Sequence, residues 1–334
     1  MKIAIQKSGF GNFWLDYCQK NDIECKLVDV YASDIIAQVK GCDAFMWHHS
    51  HVDYRDVLFA KQLIYSLETM GVKCFPDFHT TWHFDDKVGQ KYLLESIGAP
   101  LVPSYVFYTK KEALDWIEKT SFPKVFKLRG GAGGANVMLA HNKREACKLV
   151  KKAFGRGFTQ FDRTRYLKER YRKWREGKDS FVGVLKGLGR LFIVTDFAKM
   201  HGREKGYAYF QEFIPNNETD YRVKVVHGNC WAFQRKVRSN DFRASGSGEL
   251  IFDNQQVPME MVRMAQQLTS RLDLQSVAFD FIHDKVYDQY LIVEMSYCFG
   301  FDEYEKQNGY WDKNGIFHPE VFDPFGWMVE EVIN

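Results

Sequence analysis

The spacing of apolar residues predicts that the chain opens with an α/β domain. Strand-like and helix-like patterns alternate there, with strands at 2–6, 25–30, 43–47 and 72–75 and helices at 13–20 and 54–71. Strands separated by helices usually pair in parallel, so residues 1–84 are predicted to form a Rossmann-like domain.

Strands and helices alternate again over residues 85–154. The predicted elements are a helix from Asp85 or Asp86 to about residue 97, a strand at 103–108, a helix at 110–119, and a helix opened by a capping box of Asn142 and Glu145. The whole chain therefore combines α/β and α+β patterns.

The segment F-P-K-V-F-K-L-R-G-G-A-G-G-A-N-V-M, residues 122–138, predicts a glycine-rich hairpin between two strands. Its glycines are Gly130, Gly131, Gly133 and Gly134. Glycines let backbone N–H groups close on phosphate oxygens, and Lys127 can add a positive charge there, so the ligand predicted is a polyphosphate. A mobile hairpin without a ligand would tolerate the same glycines. The lack of a G-K-S/T ending argues against a P-loop, and the strand that follows argues against a dinucleotide fingerprint.

From residue 207 onward, strand-like patterns dominate. Strands are predicted at 209–214, 220–226, 231–237, 277–282 and 290–295, and a helix at 258–271. In the second of these strands, Asp220, Arg222 and Lys224 alternate with apolar residues and therefore share one face. A carboxylate there can accept ribose hydroxyls, and the cations can meet phosphates or a carboxylate substrate.

Two acids stand alone in apolar strands, Asp280 in V-A-F-D-F-I and Glu294 in L-I-V-E-M-S. A lone buried acid is costly unless it is paired or bound to a metal. Because the chain also carries a polyphosphate hairpin, the two acids suggest a shared Mg²⁺. The alternative is structural, with each acid paired to an arginine.

Residues 155–206 differ in character from the segments around them. The stretch from Arg163 to Lys178 contains eight Lys or Arg, with aromatic residues between them. Leu167, Tyr171 and Trp174 follow helical spacing, which predicts a helix with one aromatic face and a basic exterior. This insertion is either a solvated helix packed on the body or a platform for an anionic partner, such as a glycan substrate or a membrane surface.

Three histidines, His48, His49 and His51, follow the predicted strand at 43–47. Ligands of open α/β sheets bind at the carboxyl ends of strands, so this cluster is predicted to face a substrate. No carboxylate stands at ligand spacing, which favours a loop over a metal site.

Composition narrows the classes of function. A hydrophobic content of 45% and an aromatic content of 16% predict ordered globular domains, and a net charge of +3 is too small to indicate nucleic-acid binding. The seven cysteines are scattered without a C-x-x-C, which indicates reduced thiols and a cytoplasmic protein, with no disulfide framework or zinc site. Neither a signal peptide nor an apolar run of about 18 residues is apparent.

The order of these motifs resembles that of the ATP-grasp superfamily. The motifs are DDK, the glycine hairpin, F-Q-E-F-I, D-Y-R-V, Q-R-K-V-R-S-N-D-F-R, V-A-F-D-F-I and I-V-E-M-S. The resemblance covers residues 85–297 and is closest to the branch of ribosomal-protein glutamate ligases and glutathione synthetases. It implies an ATP-grasp fold with residues 1–84 as the pre-ATP-grasp domain, 85–154 as the subdomain with the lid, 155–206 as an insertion and 207–334 as the C-terminal subdomain.

The resemblance also implies how the nucleotide is bound. Lys87 and Lys127 match the two nucleotide-contacting lysines of the family, and the hairpin from Gly130 to Gly134 matches its phosphate lid. The adenine would be held by the hinge of Gln211, Glu212, Phe213 and Ile214. The ribose would meet Asp220, whose strand neighbour Arg222 is an expected phosphate or substrate contact.

Catalytic and metal positions follow from the same resemblance. Arg235 and Arg243 match arginines that face the γ-phosphate and the acyl intermediate. Asp280 and Glu294 match the Mg²⁺-binding acids. Ser296 occupies a position where the family has an asparagine, and its hydroxyl is a shorter, weaker ligand.

An ATP-dependent carboxylate–amine ligase that uses ATP and Mg²⁺ is the function implied. The chain also resembles ATP-grasp proteins of bacterial surface-polysaccharide loci, so the expected acid is a uronic acid or another sugar carboxylate. An amino-acid or peptide ligase is the competing enzyme, and a non-catalytic ATP-binding protein is an alternative of another class. Expected partners are the acid and an amine, with membrane-surface contact through residues 163–178. Nucleic acid is not expected, and dimers are common in the family.

Overall fold

The computed structural model describes residues 1–7, 9–51, 53–131, 136–159, 167, 170–171, 174–175, 180–192, 202–238, 241–245 and 248–333. They divide into two compact units, the first made of Met1–Val102 and Ile214–Asn334 and the second of Pro103–Phe213. The domain divisions expected at residues 85, 155 and 207 stay a prediction.

The first unit begins with a four-stranded parallel sheet. Its strands are β1 (Lys2–Gln6), β2 (Glu24–Val28), β3 (Ala44–Met46) and β4 (Lys73–Phe75), in the order β2-β1-β3-β4. The helices along this part of the chain are α1 (Gly11–Lys20), α2 (Ile35–Val39), α3 (Tyr54–Thr69), α4 (Phe78–Thr81) and α5 (Lys87–Ser96). The predicted alternation of strands and helices is confirmed. Helices α2 and α4 were not predicted because they are too short to show a helical period.

The second unit is built on a four-stranded antiparallel sheet. Its elements are β5 (Ser104–Phe107), α6 (Lys110–Ile117), β6 (Lys124–Lys127), β7 (Val137–Ala140), α7 (Lys143–Ala153), β8 (Phe158–Thr159), α8 (Phe181–Phe192), β9 (Arg203–Glu204) and β10 (Ala208–Glu212). The sheet order is β5-β10-β6-β7, and β8 pairs with β9. The predicted cap of α7 is confirmed, since the Asn142 side chain accepts a hydrogen bond from the Glu145 N–H at 3.0 Å.

The basic, aromatic insertion is described only in part. Leu167, Tyr171 and Trp174 are each helical, as their spacing predicts. Residues 160–166, 168–169, 172–173, 176–179 and 193–201 lie outside the described residues.

The first unit continues with a seven-stranded sheet. Its strands are β11 (Thr219–Val226), β12 (Asn229–Lys236), β13 (Leu250–Ile251), β14 (Ser276–Asp284), β15 (Gln289–Ser296), β16 (Tyr310–Trp311) and β17 (Phe317–His318). They follow the order β15-β14-β11-β12-β16-β17, and β13 pairs with β12. Two helices accompany the sheet, α9 (Met259–Arg271) and α10 (Pro324–Ile333), with 3₁₀ turns at Asn254–Gln256 and Glu305–Asn308.

One face of this sheet is covered by α9. Val223 and Val225 of β11 and Phe279 of β14 share an apolar core with Met261 and Ala265 of α9. A second cluster in the same unit joins the sheet to the parallel sheet; its members include Ile5, Trp14, Trp231 and Val329. The polar residues of β11 therefore lie on the face opposite α9.

Lys224, on that polar face, is enclosed in the protein. Its ammonium group donates to both Glu305 carboxylate oxygens, at 2.8 and 2.5 Å, and to the Gly300 carbonyl at 2.7 Å. The Trp231 indole N–H also donates to Glu305, at 2.6 Å. Lys224 is 1% exposed, and burial lowers its pKa to about 8. The expectation that Lys224 can meet a phosphate is wrong for this residue, because its three donors already have partners.

We expect Lys224→Met to lower the free energy of unfolding by about 3–5 kcal/mol, because it leaves the Glu305 carboxylate buried without its cation. The double variant Lys224→Met/Glu305→Gln removes both charges and keeps an acceptor for Trp231, so it should be more stable than the single variant. Urea denaturation of both proteins measures this. A double variant no more stable than Lys224→Met would contradict the ion-pair interpretation.

Candidate functional site

A row of charged residues crosses the polar face of the seven-stranded sheet. Asp220 of β11 lies opposite Arg235 of β12, and Arg222 of β11 lies opposite Asp280 of β14. Asp280 in turn lies opposite Glu294 of β15. Residues directly opposite each other on antiparallel strands project from the same face, so four strands contribute to one charged surface.

Ion pairs link the members of this row. The Arg222 Nε and Nη2 atoms each lie 2.8 Å from an Asp280 oxygen, and Arg235 Nη2 lies 2.8 Å from Asp280 Oδ2. Arg235 also forms a two-point contact with Asp220, at 2.7 and 2.6 Å. Two carboxylates and two guanidinium groups therefore alternate. The sequence left open whether Asp280 is paired with an arginine, and the structure contains such a pairing.

The two carboxylates of the row differ in their proton affinity. Burial raises the pKa of Asp220, and the neighbouring Arg235 only partly opposes the effect. Burial would raise the pKa of Asp280 too, but Arg222 and Arg235 together hold that pKa well below its usual value. Asp280 is therefore a permanently ionised carboxylate at neutral pH, as a cation ligand must be.

Glu294 pairs with Lys87, one of the two lysines predicted to contact the nucleotide. Lys87 is the first residue of α5, and its Nζ lies 3.0 Å from Glu294 Oε1. Asp86 caps this helix by accepting from the Gly89 N–H at 2.9 Å, so of the two predicted caps Asp86 is the one used. Lys87 is buried, whereas Glu294 is one-third exposed. A partly exposed carboxylate whose ion pair among the described residues is with a single lysine can exchange that partner for a ligand.

The donors predicted for Mg²⁺ are of the right chemical kind. Asp280, Glu294 and Ser296 offer only oxygen atoms, and Mg²⁺ is commonly held by one or two carboxylates together with substrate phosphates. Ser296 follows Glu294 by two residues on β15 and therefore shares its face. Within the described part of the chain, no group of three His, Cys, Asp or Glu could hold a metal ion by itself. The donor set fits an ion shared with a phosphate ligand.

Arg243, the other predicted catalytic arginine, belongs to the loop that follows β12. Its guanidinium contacts the Asp241 carboxylate, with Nε at 2.9 and 3.0 Å from the two oxygens. The loop is closed on itself, since the Arg238 N–H donates to the Arg243 carbonyl at 3.2 Å. Its catalytic role stays a prediction.

In the second unit, the glycine-rich hairpin is confirmed. Strands β6 and β7 pair antiparallel with Lys127 opposite Val137, and the Leu128 N–H donates to the Asn136 carbonyl at 3.1 Å. Gly131 has a φ of 114°, a backbone conformation that residues other than glycine rarely adopt. Lys127 is buried at the end of β6. Gly130 and Gly131 are described, and Gly133 and Gly134 lie outside the described residues.

The predicted adenine hinge begins on β10 of the same unit. The Gln211 amide donates to the Ser104 hydroxyl at 3.0 Å, and Glu212 accepts from Lys124 Nζ at 2.6 Å. Phe213 is the last residue of this unit, and Ile214 is the first residue after the chain returns to the other one. Contact of these residues with adenine stays a prediction.

Lys124 was missed by the sequence reasoning. It is 2% exposed and lies directly opposite Glu212 in the β6–β10 pair. The signal was present in F-P-K-V-F-K, because a lysine inside an apolar strand requires a buried acid nearby. Glu305, the partner of Lys224, was also missed, although a lysine inside the apolar strand β11 likewise requires an acid nearby.

The histidines after β3 occupy an aromatic environment in the first unit. His48 stacks on Phe10 with ring centroids 4.1 Å apart, and the ring of His49 lies 4.8 Å from that of Tyr297. Among the described residues, no hydrogen-bond partner reaches either ring nitrogen of His49 or of His83, which follows α4. Burial lowers the pKa of His48 and of His83 to about 4, so both rings are neutral at pH 7. A substrate-facing role for His48, His49 and His51 stays a prediction.

The pKa of His83 predicts acid sensitivity of the fold. The unfolded side chain titrates near 6.5 and the folded one near 4, so its contribution to stability is complete above 6.5 and is lost as the pH falls towards 4. When the pH falls from about 7 to about 5, the unfolding free energy of His83→Phe should decrease by about 2 kcal/mol less than that of the wild type. Urea denaturation at both pH values measures this. His141→Phe, at an exposed histidine, is the control, and equal losses in all three proteins would contradict the prediction.

Comparison with known sequences supports a nucleotide-binding fold. A family model described as the ATP-binding domain of the carbamoyl-phosphate synthase L chain matches residues 86–179. The trifunctional purine biosynthetic protein adenosine-3 of Gallus gallus is 34% identical over 97 residues, which cover 28% of this chain. The match spans only 10% of that curated relative.

Solved structures resemble the whole chain at low sequence identity. A RimK domain ATP-grasp protein from Sphaerobacter thermophilus has a TM-score of 0.59 at 13% identity, with 100% of both chains covered. The D-alanine–D-alanine ligase of Bacillus anthracis has a TM-score of 0.59 at 12% identity, covering 99% of this chain and 95% of that one.

A third structure of this kind contains a nucleotide. It is the biotin carboxylase domain of the Hydrogenobacter thermophilus 2-oxoglutarate carboxylase, in complex with MgADP, ADP and bicarbonate. Its TM-score is 0.59 at 12% identity, covering 99% of this chain and 69% of that one. The predicted fold class is thereby confirmed: the chain has an ATP-grasp fold.

Proposed function

We propose that this protein is an ATP-dependent ligase that activates a carboxylate as an acyl phosphate and joins it to an amine. One observation carries the proposal: Asp280 and Glu294 stand directly opposite each other on β14 and β15, beside Arg222 and Arg235, in a chain with an ATP-grasp fold. Two carboxylates beside guanidinium groups suit a nucleotide whose phosphates carry a divalent cation.

In the first step, a substrate carboxylate oxygen attacks the γ-phosphorus of ATP. The bond between that phosphorus and the bridging oxygen breaks, ADP leaves with the electron pair, and an acyl phosphate forms. Negative charge concentrates on the transferred group, and cations fixed in advance lower its energy. Arg235, Arg243 and Lys127 are the residues that we assign to this stabilisation.

In the second step, the amine attacks the acyl carbon. The bond from that carbon to the phosphate oxygen breaks, phosphate leaves, and the proton lost by the amine passes to phosphate or solvent. No covalent enzyme intermediate is required. Cys298, close in sequence to Ser296, is unsuited to be a nucleophile, because burial raises its pKa to about 12 and the thiolate is therefore scarce.

Magnesium held by Asp280, Glu294 and Ser296 would neutralise phosphate charge in both steps. Lys87 and Arg222 lie against the two acids and would become available to phosphate oxygens when those acids take a cation. The hairpin that carries Gly130 and Gly131 would exclude water from the acyl phosphate.

For the acid, we propose a sugar carboxylate such as a uronic acid, amidated during surface-polysaccharide synthesis. The support is the resemblance of the sequence to ATP-grasp proteins of bacterial surface-polysaccharide loci. An amino-acid or peptide ligase is the second candidate, favoured by the structural similarity to a D-alanine–D-alanine ligase.

Hydroxylamine trapping tests the reaction class. The protein is incubated with Mg²⁺, ATP and either uronic acids or amino acids and short peptides, and both ADP and hydroxamate are measured. We expect ADP and hydroxamate to appear together with the uronic-acid pool. Hydroxamate with the amino-acid pool would support the second candidate instead. ADP without hydroxamate from any pool would contradict acyl-phosphate chemistry, and ATP binding without turnover would favour a non-catalytic role.

Glu294→Gln is the sharper test of the site. Among the described residues Glu294 has one ion pair, to Lys87, and glutamine keeps an oxygen that can accept from that lysine. The change in unfolding free energy should therefore be about 1 kcal/mol, while turnover falls at least about a hundredfold. Asp280→Asn should also abolish turnover. It will destabilise the fold as well, because Arg222 and Arg235 both lose a carboxylate partner.

Asp288→Asn is the matched control, because this acid lies at the far end of the same β14–β15 hairpin and its side chain is 92% exposed. It should retain full turnover. Wild-type turnover in Glu294→Gln would remove Glu294 from the site.

A further inference from the structure

Helix α8 exposes an apolar face to solvent. Phe181, Val182, Leu185 and Leu188 are each between 44% and 56% exposed, whereas Val184 is buried. Phe181, Leu185 and Leu188 follow one another at helical spacing and therefore lie on one side of the helix. Exposed apolar residues are normal when they are scattered, but a contiguous group marks a contact surface.

Aromatic side chains extend this face beyond the helix. Tyr171 and Trp174 are 50% and 39% exposed, with ring centroids 5.7 Å apart, and the Trp174 ring lies 5.5 Å from that of Phe181. We call Tyr171, Trp174, Phe181, Val182, Leu185 and Leu188 the apolar patch. Tyrosine and tryptophan, which have an apolar ring and a polar group, are typical of the boundary between water and lipid.

The patch is accompanied by strong positive charge. The segment from Arg163 to Lys178 contains eight Lys or Arg and two Glu, an excess of six positive charges. The sequence of α8 adds Lys186 and Arg190 without an acid. Because the whole chain has a net charge of only +3, this short region is exceptional within it.

The dimensions of α8 exclude a membrane-spanning role for it. Its 12 residues extend about 18 Å, and the hydrocarbon core of a bilayer is about 30 Å thick. More generally, no helix in the described part of the chain is long and apolar enough to cross a membrane. An amphipathic helix of this size instead lies in the plane of the interface.

We propose that the apolar patch binds the surface of a membrane that contains anionic lipids, with α8 lying among the headgroups, and that the positive charge of the surrounding sequence favours such lipids. Apolar side chains enter the lipid while Lys and Arg meet phosphate groups, so lipid satisfies both features together. A soluble anionic glycan would neutralise the charge but leave the apolar face exposed to water. A second copy of the chain would bring two strongly positive regions together. This proposal does not depend on the ligase activity.

Vesicle flotation tests the proposal. The full-length protein should float with vesicles that contain phosphatidylglycerol at about 0.1 M salt, should bind pure phosphatidylcholine at least about tenfold more weakly, and should dissociate from the anionic vesicles at about 1 M salt. Leu185→Glu and Leu188→Glu should each weaken binding to anionic vesicles at least about tenfold.

Val286→Glu is the matched control, because Val286 is 77% exposed on the β14–β15 turn, outside the patch. It should bind as the wild type does, and thermal melting should show that all three variants are folded. The proposal is overturned if the wild type does not float, if phosphatidylcholine vesicles bind equally well, or if Leu185→Glu binds like Val286→Glu. Loss of self-association in Leu185→Glu, measured by sedimentation without any vesicle binding, would show instead that the patch joins two copies of the chain.

Discussion

The charged face of the seven-stranded sheet depends on Asp280 and its two guanidinium partners. Burying an unpaired carboxylate would cost several kcal/mol, and Arg222 and Arg235 remove that cost through three contacts at 2.8 Å. The same pairing limits what can bind there. A cation that takes Asp280 displaces both arginines from it. Arg235 keeps its contact with Asp220, whereas Arg222 then needs a new anionic partner. The phosphates of ATP are such partners, so metal, nucleotide and arginines can exchange as a set.

One strand shows how a structural ion pair differs from an exchangeable one. Along β11, Lys224 has all three donors occupied and lies 1% exposed, so it is committed to Glu305 and holds the segment after β15 in place. Arg222, two residues earlier, is 24% exposed and contacts one carboxylate. Two residues apart on the same face, Lys224 therefore supports the fold and Arg222 is a candidate ligand contact. The alternation of polar and apolar residues along a strand does not reveal this difference.

Periodicity predicted the principal elements because amphipathic patterns of sufficient length dictate them. The parallel sheet, the glycine hairpin and the four strands β11, β12, β14 and β15 follow from it. The short β13, β16 and β17 and the helix α10 were not predicted, since two-residue strands carry no period and α10 is apolar on most sides. The sequence alone indicated that Asp280 and Glu294 belong to one site, because each is a lone acid in an apolar strand. Their cationic partners could not be assigned, because strand register decides which residues stand opposite one another.

Binding of ADP with and without Mg²⁺, measured by titration calorimetry, tests the central claim most directly. If Asp280 and Glu294 hold a cation shared with the nucleotide, Mg²⁺ should strengthen ADP binding by at least about tenfold, or about 1.4 kcal/mol, and Glu294→Gln should lose that gain. Binding that is unaffected by Mg²⁺ in the wild type would contradict the account. The charged row would then be a structural ion-pair network and nothing more.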